Sequence, residues 1–138
     1  MTGAETAIAA AGLHARCRAA GGDFFQSVPA GGDAYMMKHI LHDWDDARCL
    51  TILRHCRAAL RDNGGQANDG ALLAIEMVVP ETNEPHPAKL LDLEMLAIAG
   101  GKERTETEFR TLFADAGFQL KSITPTKSPV CVIEAVPV

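Results

Sequence analysis

The chain has no cluster of lysine and arginine, no CxxC pair, no internal repeat and no long apolar run. Each absence excludes something. A formal net charge of -5 without a basic patch argues against a nucleic-acid partner, because such domains gather cations on one face. The four cysteines, Cys17, Cys49, Cys56 and Cys131, form neither a disulfide framework nor a zinc signature, so free, buried thiols and a reducing, cytoplasmic setting are expected. No stretch approaches the roughly 20 apolar residues needed to cross a bilayer, so no membrane partner is expected. The opening MTGAETAIAAAG has neither the basic start nor the cleavage pattern of a secretory signal and is expected to be the end of an alanine-rich helix.

What is present suffices for one domain. Hydrophobic residues make up 47% of the 138 and charged residues 22%, a balance that allows a packed core and excludes a disordered tail. Residues 4–11 read as a helix that Gly12 can end, 15–20 as a strand candidate and 21–33 as a loop broken by Pro29 and two glycine pairs. Residues 34–38, AYMMK, read as a buried strand, with Met36 and Met37 as core. Asp45 or Asp46 can cap a helix on which Cys49, Ile52, Leu53, Cys56 and Leu60 recur at helical spacing, and Asn63-Gly64-Gly65 is expected to end it. Gln66 to Gly70 reads as a polar turn. ALLAIEMVV, residues 71–79, is short, apolar and stopped by Pro80, which predicts a strand buried on both faces. Residues 88–99 are helical by pattern. Thr105 and Glu108 form a capping box for a helix running to about Ala116, with Gly117 as its stop. Two strands, 118–124 and 129–136, follow. The alternation is that of an α/β fold.

The most informative segment is Lys38-His39-Ile40-Leu41-His42-Asp43-Trp44-Asp45-Asp46, directly after a predicted strand. In open α/β sheets ligands collect beyond the carboxyl ends of the strands. A histidine placed there can serve as a general base near neutral pH. Two plainer readings stand beside this one. His39 and His42 can simply satisfy local hydrogen bonds, and Asp45 can simply cap a helix. His39, His42 and Asp43 are all metal-ligand types, but their spacing does not match a zinc signature, and no metal site is expected.

Taken together, GGDFFQSVPAGGDAYMMKHILHDWDD, LLAIEMVVP and GGKERTETEF, in this order and followed by AGFQL and VIEAVP, resemble the plant caffeic-acid-type and bacterial natural-product O-methyltransferases. The resemblance runs from about Gly12 to Val138. It implies an S-adenosyl-L-methionine-dependent transfer of a methyl group to a hydroxyl, usually phenolic, of a small secondary metabolite. His42 matches the family's catalytic base, and Glu76 and Glu103 match the acids beside it. Asp23 and Phe24 match the pair at the adenine end of the cofactor, Lys38 a lysine close to it, and Trp44 a residue lining the site. A phenol titrates near pH 10 and histidine near 6.5, a gap of roughly 5 kcal/mol, so proton removal during attack is the sensible course. Each matched residue also has a plain role: Glu103 at a helix start, Asp23 in a turn, Phe24 in the core. A carboxylate within so apolar a run as 71–79 is costly unless paired, which favours a function for Glu76.

The resemblance further implies a class I, Rossmann-like sheet with flanking helices, ending in two adjacent antiparallel strands. Residues 1–138 are expected to be the C-terminal part of such a catalytic domain, without the family's first strand, its glycine-rich turn and its helical dimerisation domain. The AYMMK strand would then be an open edge. Homodimers are the family's habit. The alternative is a non-catalytic remnant acting as a small α/β interaction module. Met77 and Met95 fit either an acceptor site or the core.

Overall fold

The computed structural model describes residues 2–61, 70–98 and 100–138. Helix α1 (Thr2–Ala10) precedes strand β1 (Ala34–Lys38), a 3-10 turn at Leu41–Asp43, helix α2 (Asp46–Arg61), β2 (Ala71–Glu76), β3 (Val78–Val79), α3 (Pro87–Ile98), β4 (Arg104–Thr105), α4 (Glu106–Asp115), β5 (Phe118–Pro125) and β6 (Cys131–Pro137). The main sheet has the order β1-β2-β6-β5; β1 and β2 run parallel, and β6 is antiparallel to both β2 and β5. This is the expected mixed α/β sheet ending in two adjacent antiparallel strands. A second, two-stranded parallel sheet joins β3 to β4 through Val78 beside Arg104 and Val79 beside Thr105.

Period-two patterning decides what the sheet buries. Leu72, Ala74, Phe118, Leu120, Ile133 and Ala135 point to one face and pack under Cys49, Ile52, Leu53 and Cys56 of α2 and Phe109, Leu112 and Phe113 of α4. The alternate residues of β2, Leu73 and Ile75, are only half-buried. The continuous apolar run therefore makes a strand buried on one face, not two, and it is interrupted at Met77 instead of continuing to 79. The same alternation overturns the expectation for β1. Tyr35 and Met37 turn toward α2, whereas Met36 is 69% exposed on the uncovered face of an edge strand. Residues 15–20 are turn and irregular backbone, not a strand.

Local signals set the boundaries elsewhere. Gly12 (φ 67°) follows α1 and Gly117 (φ 81°) follows α4, each left-handed as a helix stop requires. Asp45 Oδ1 accepts from Arg48 N at 2.8 Å and caps α2. The expected end of α2 at 63–65 and the turn at 66–69 lie outside the described residues. On α2, burial pushes the Cys49 and Cys56 thiols up to about 11, so both stay protonated; Cys17, by contrast, is exposed. No helix among the described residues is long and apolar enough to cross a membrane.

The capping box of α4 is complete. Glu108 N donates to Thr105 Oγ1 at 3.2 Å, and Glu108 Oε2 accepts from Thr105 N at 2.8 Å. Thr105→Ala is expected to lower stability by about 1 kcal/mol, read as a lower urea midpoint with an unchanged slope. An unchanged midpoint would mean that the cap adds nothing to the packing of α4.

Candidate active site

The site forms at the carboxyl ends of β1 and β2. The chain leaves β1 at Lys38, and His39 takes a left-handed backbone (φ 54°) that turns it sharply into the 3-10 turn. Glu76, the last residue of β2, fixes this turn. Its Oε1 accepts from Ile40 N at 3.0 Å and Leu41 N at 2.9 Å. Glu76 is fully buried; burial raises its pKa, opposed by the nearby His42 and the two amides.

The turn presents His42 inward. Its Nδ1 stands 2.8 Å from Glu103 Oε1 and 3.9 Å from Glu76 Oε2. Glu103 is itself 4% exposed, and its amide donates to Asp92 Oδ1 of α3 at 2.9 Å. The hydrogen bond to Glu103 raises the His42 pKa against an opposing effect of burial, with Glu76 adding to the rise. With Nδ1–H donating to Glu103, the lone pair lies on Nε2, whose nearest charged neighbour is Asp43 Oδ1 at 3.5 Å. A histidine, a carboxylate bonded to it and a second that holds its loop are thus brought together from three separate segments.

The residues expected at the cofactor sit elsewhere. Phe24 and Lys38 line one cavity of about 330 Å³, together with Tyr35, Met37, Ile52 and Cys56. Asp23 is exposed, and its carboxylate serves its own turn, accepting from Phe25 N at 2.9 Å and Gln26 Nε2 at 3.1 Å. Trp44 packs edge-on against Phe25 at 4.9 Å between centroids and lies under the Arg48 guanidinium at 5.2 Å, so it belongs with the aromatic loop. Met77 and Met95 are half-buried, and neither belongs to the core.

Arg104 escaped the sequence reading. It is 1% exposed and donates to Leu41 O at 2.8 Å, Trp44 O at 3.0 Å and Asp46 Oδ1 at 2.7 Å. It therefore grips the backbone on both sides of His42-Asp43 from the position next to Glu103. Nothing local marks a buried arginine in GGKERTE; the nearest clue is the acid-rich HDWDD that it pairs with. Burial alone would raise the Asp46 carboxyl, but Arg104 and then Lys102 hold it below the ordinary aspartate range. A group depressed in the folded state stabilises at pH above its unfolded value, and that contribution is lost as the pH falls through the folded one. Stability is thus expected to drop below about pH 4, and to drop less steeply in Asp46→Asn. Thermal melts across the acid range test this; parallel profiles would remove Asp46 from the account.

The O-methyltransferase domain family matches residues 1–119. The chain is 48% identical over 131 residues to phenazine O-methyltransferase PhzM of Lysobacter antibioticus, covering 95% of this chain and 37% of that protein. It is 43% identical over 140 residues to O-demethylpuromycin-O-methyltransferase of Streptomyces alboniger, covering 98% of this chain and 36% of that one. The crystal structure of LaPhzM superposes with a TM-score of 0.89 at 47% identity, over 99% of this chain and 40% of that chain. NcsB1, an O-methyltransferase from neocarzinostatin biosynthesis solved with S-adenosylmethionine and 2-hydroxy-5-methyl naphthoic acid, superposes at 0.84 with 34% identity, over 99% of this chain and 38% of that one. This chain spans little more than a third of either curated relative.

Proposed function

Because this chain belongs to the O-methyltransferase domain family, we propose that it supplies the proton-transfer apparatus for S-adenosyl-L-methionine-dependent methylation of a hydroxyl, phenolic in kind, on a small secondary metabolite. The observation that carries this reading is the His42–Glu103 pair at 2.8 Å, which leaves Nε2 as the free acceptor. The bound cofactor supplies an electrophilic sulfonium methyl. His42 Nε2 takes the hydroxyl proton as the oxygen attacks, and Glu103 stabilises the imidazolium that results. Glu76 acts on the same ring by holding the turn and by adding negative charge at 3.9 Å. A raised His42 pKa narrows the gap to a phenol and so favours proton transfer.

Asp23 and Phe24 are assigned to the adenine end of the cofactor, and Lys38 to a position close to the cofactor. The cavity that Phe24 and Lys38 share is mostly apolar and suits a flat ring, not the zwitterionic methionine end. Asp23 keeps unused lone pairs for an exocyclic amine. Trp44 closes the site from the aromatic loop. The aromatic acceptor class is supported by the phenazine enzyme and by the naphthoic acid bound to NcsB1. The exposed Leu90, Leu93, Leu96 and Ile98 of α3 support a homodimer, and the free thiols of Cys17, Cys49, Cys56 and Cys131 a reducing, cytoplasmic setting. Over residues 1–138 we assign the C-terminal part of a catalytic domain.

Calorimetric titration with S-adenosylmethionine, followed by an assay on hydroxylated phenazines and naphthoic acids, tests the proposal. Saturable binding with methyl transfer supports it. A folded chain that takes up no cofactor overturns it and favours a non-catalytic α/β interaction module.

A further inference from the structure

His39 has no task in the proton transfer proposed for His42. Its left-handed backbone (φ 54°) is uncommon for a residue with a side chain and persists only where the surroundings hold it. What that backbone achieves is placement: the ring lies 5.1 Å from that of His42, centroid to centroid. His39 Nδ1 is buried and, among the described residues, has no hydrogen-bond partner; nor have Glu76 Oε2 and Glu103 Oε2. The two glutamates are 0% and 4% exposed. Orphaned polar atoms are costly when buried, and His39 Nδ1 and Glu76 Oε2, which face each other, call for a shared partner. They cannot serve one another. The distance from His39 Nδ1 to Glu76 Oε2 is 3.8 Å, beyond a hydrogen bond.

The spacing fits an ion. One ligand atom each from His39, His42 and Glu76 lies within 4.8 Å of the others. The separations of Glu76 Oε2 from His39 Nδ1 (3.8 Å) and His42 Nδ1 (3.9 Å) are slightly longer than the roughly 3.4 Å between two ligand atoms of a tetrahedral ion with bonds of about 2.1 Å. The His39 side chain, 38% exposed, has room to rotate and close the remainder. Two imidazole nitrogens and a carboxylate oxygen suit a borderline divalent ion such as Zn²⁺, and not Mg²⁺ or Ca²⁺, which prefer oxygen alone.

We propose that His39, His42 and Glu76 bind a divalent transition-metal ion of the Zn²⁺ class, and that the bound ion switches the base off. The second half rests on the reading of His42 as the base; the first does not. Coordination takes the Nδ1 lone pair, so the ring's single proton moves from Nδ1 to Nε2. The proton count of the imidazole is unchanged, but Nε2 becomes an N–H and can no longer accept from a hydroxyl.

The test is titration of the metal-free 138-residue chain with Zn²⁺ by calorimetry, and with Co²⁺ by visible absorption. His39→Gly serves as the control because glycine tolerates the left-handed backbone. One ion per chain is expected, with affinity falling about tenfold or more in His39→Gly while the circular dichroism is retained. No uptake by the wild type, or equal uptake by the variant, overturns the site. In a methyl-transfer assay, Zn²⁺ should inhibit the wild type at lower concentration than His39→Gly. Binding without inhibition overturns the switch alone. Absence of turnover in the metal-free protein overturns the methyltransferase reading and leaves the ion site standing.

Discussion

Replacing His42 by glutamine is expected to slow methyl transfer by about 10²–10⁴-fold while leaving the affinity for S-adenosylmethionine little changed. Glutamine keeps a donor for Glu103, so the buried carboxylate is not stranded, but it offers no group that takes up a proton near neutrality. The loss should therefore fall on the chemical step, seen as slowed single-turnover transfer beside an unaltered calorimetric binding curve. Turnover near the wild-type rate would remove Nε2 as the proton acceptor. Loss of cofactor binding as well would point to a disturbed turn, which near-ultraviolet circular dichroism resolves.

The second large effect is expected at a glycine. A Cβ on Gly101 would lie 2.0 Å from His42 O, 2.5 Å from Asp43 C and 2.7 Å from Trp44 N. All three are backbone atoms, so no side chain can swing aside. The turn carrying His42 rests directly on this residue, and Gly101→Ala must either push the turn away or displace the segment that leads to Glu103. A destabilisation of about 3 kcal/mol is expected, at the upper end for overpacking, together with loss of the His42–Glu103 contact. Gly100→Ala is the control. Gly100 has a left-handed backbone (φ 73°) but nothing within 4 Å of an added Cβ, so only backbone strain of about 1 kcal/mol is expected. Denaturant midpoints for the two variants decide this; equal midpoints would mean that close packing at Gly101 is not what holds the turn.

The elements most legible in the sequence were those whose cause is local. The capping box at Thr105 and Glu108, the helical spacing of Cys49, Leu53 and Cys56 and the stop at Gly117 each depend on residues a few positions apart, and the structure shows them where the pattern puts them. The meeting of His42, Glu76 and Glu103 was expected from a family resemblance alone, since three segments far apart in the chain carry them. The second face of the sheet was not legible in the sequence. Apolar composition gave Met36 and the 71–79 run as buried throughout, but which face is covered depends on where helices lie, and these helices cover one side. Arg104 was not legible either, because its partners, the carbonyls of Leu41 and Trp44 and the Asp46 carboxylate, lie about sixty residues away in the chain.

The short pairing of Val78–Val79 with Arg104–Thr105 has a consequence for how such a protein can diversify. It ties the strand that ends in Glu76 to the segment that contains Glu103, and so closes the base of the excursion that holds α3. Substitutions along the exposed side of α3, at Leu90, Leu93 or Leu96, can reshape whatever that helix meets without altering the spacing of the two acids. Descendants of one ancestor can then vary the surface of α3 while inheriting the same arrangement of acids. Asp92, which accepts from the Glu103 amide, links α3 to the segment of Glu103, and it is the position on that helix where drift is expected to be least free.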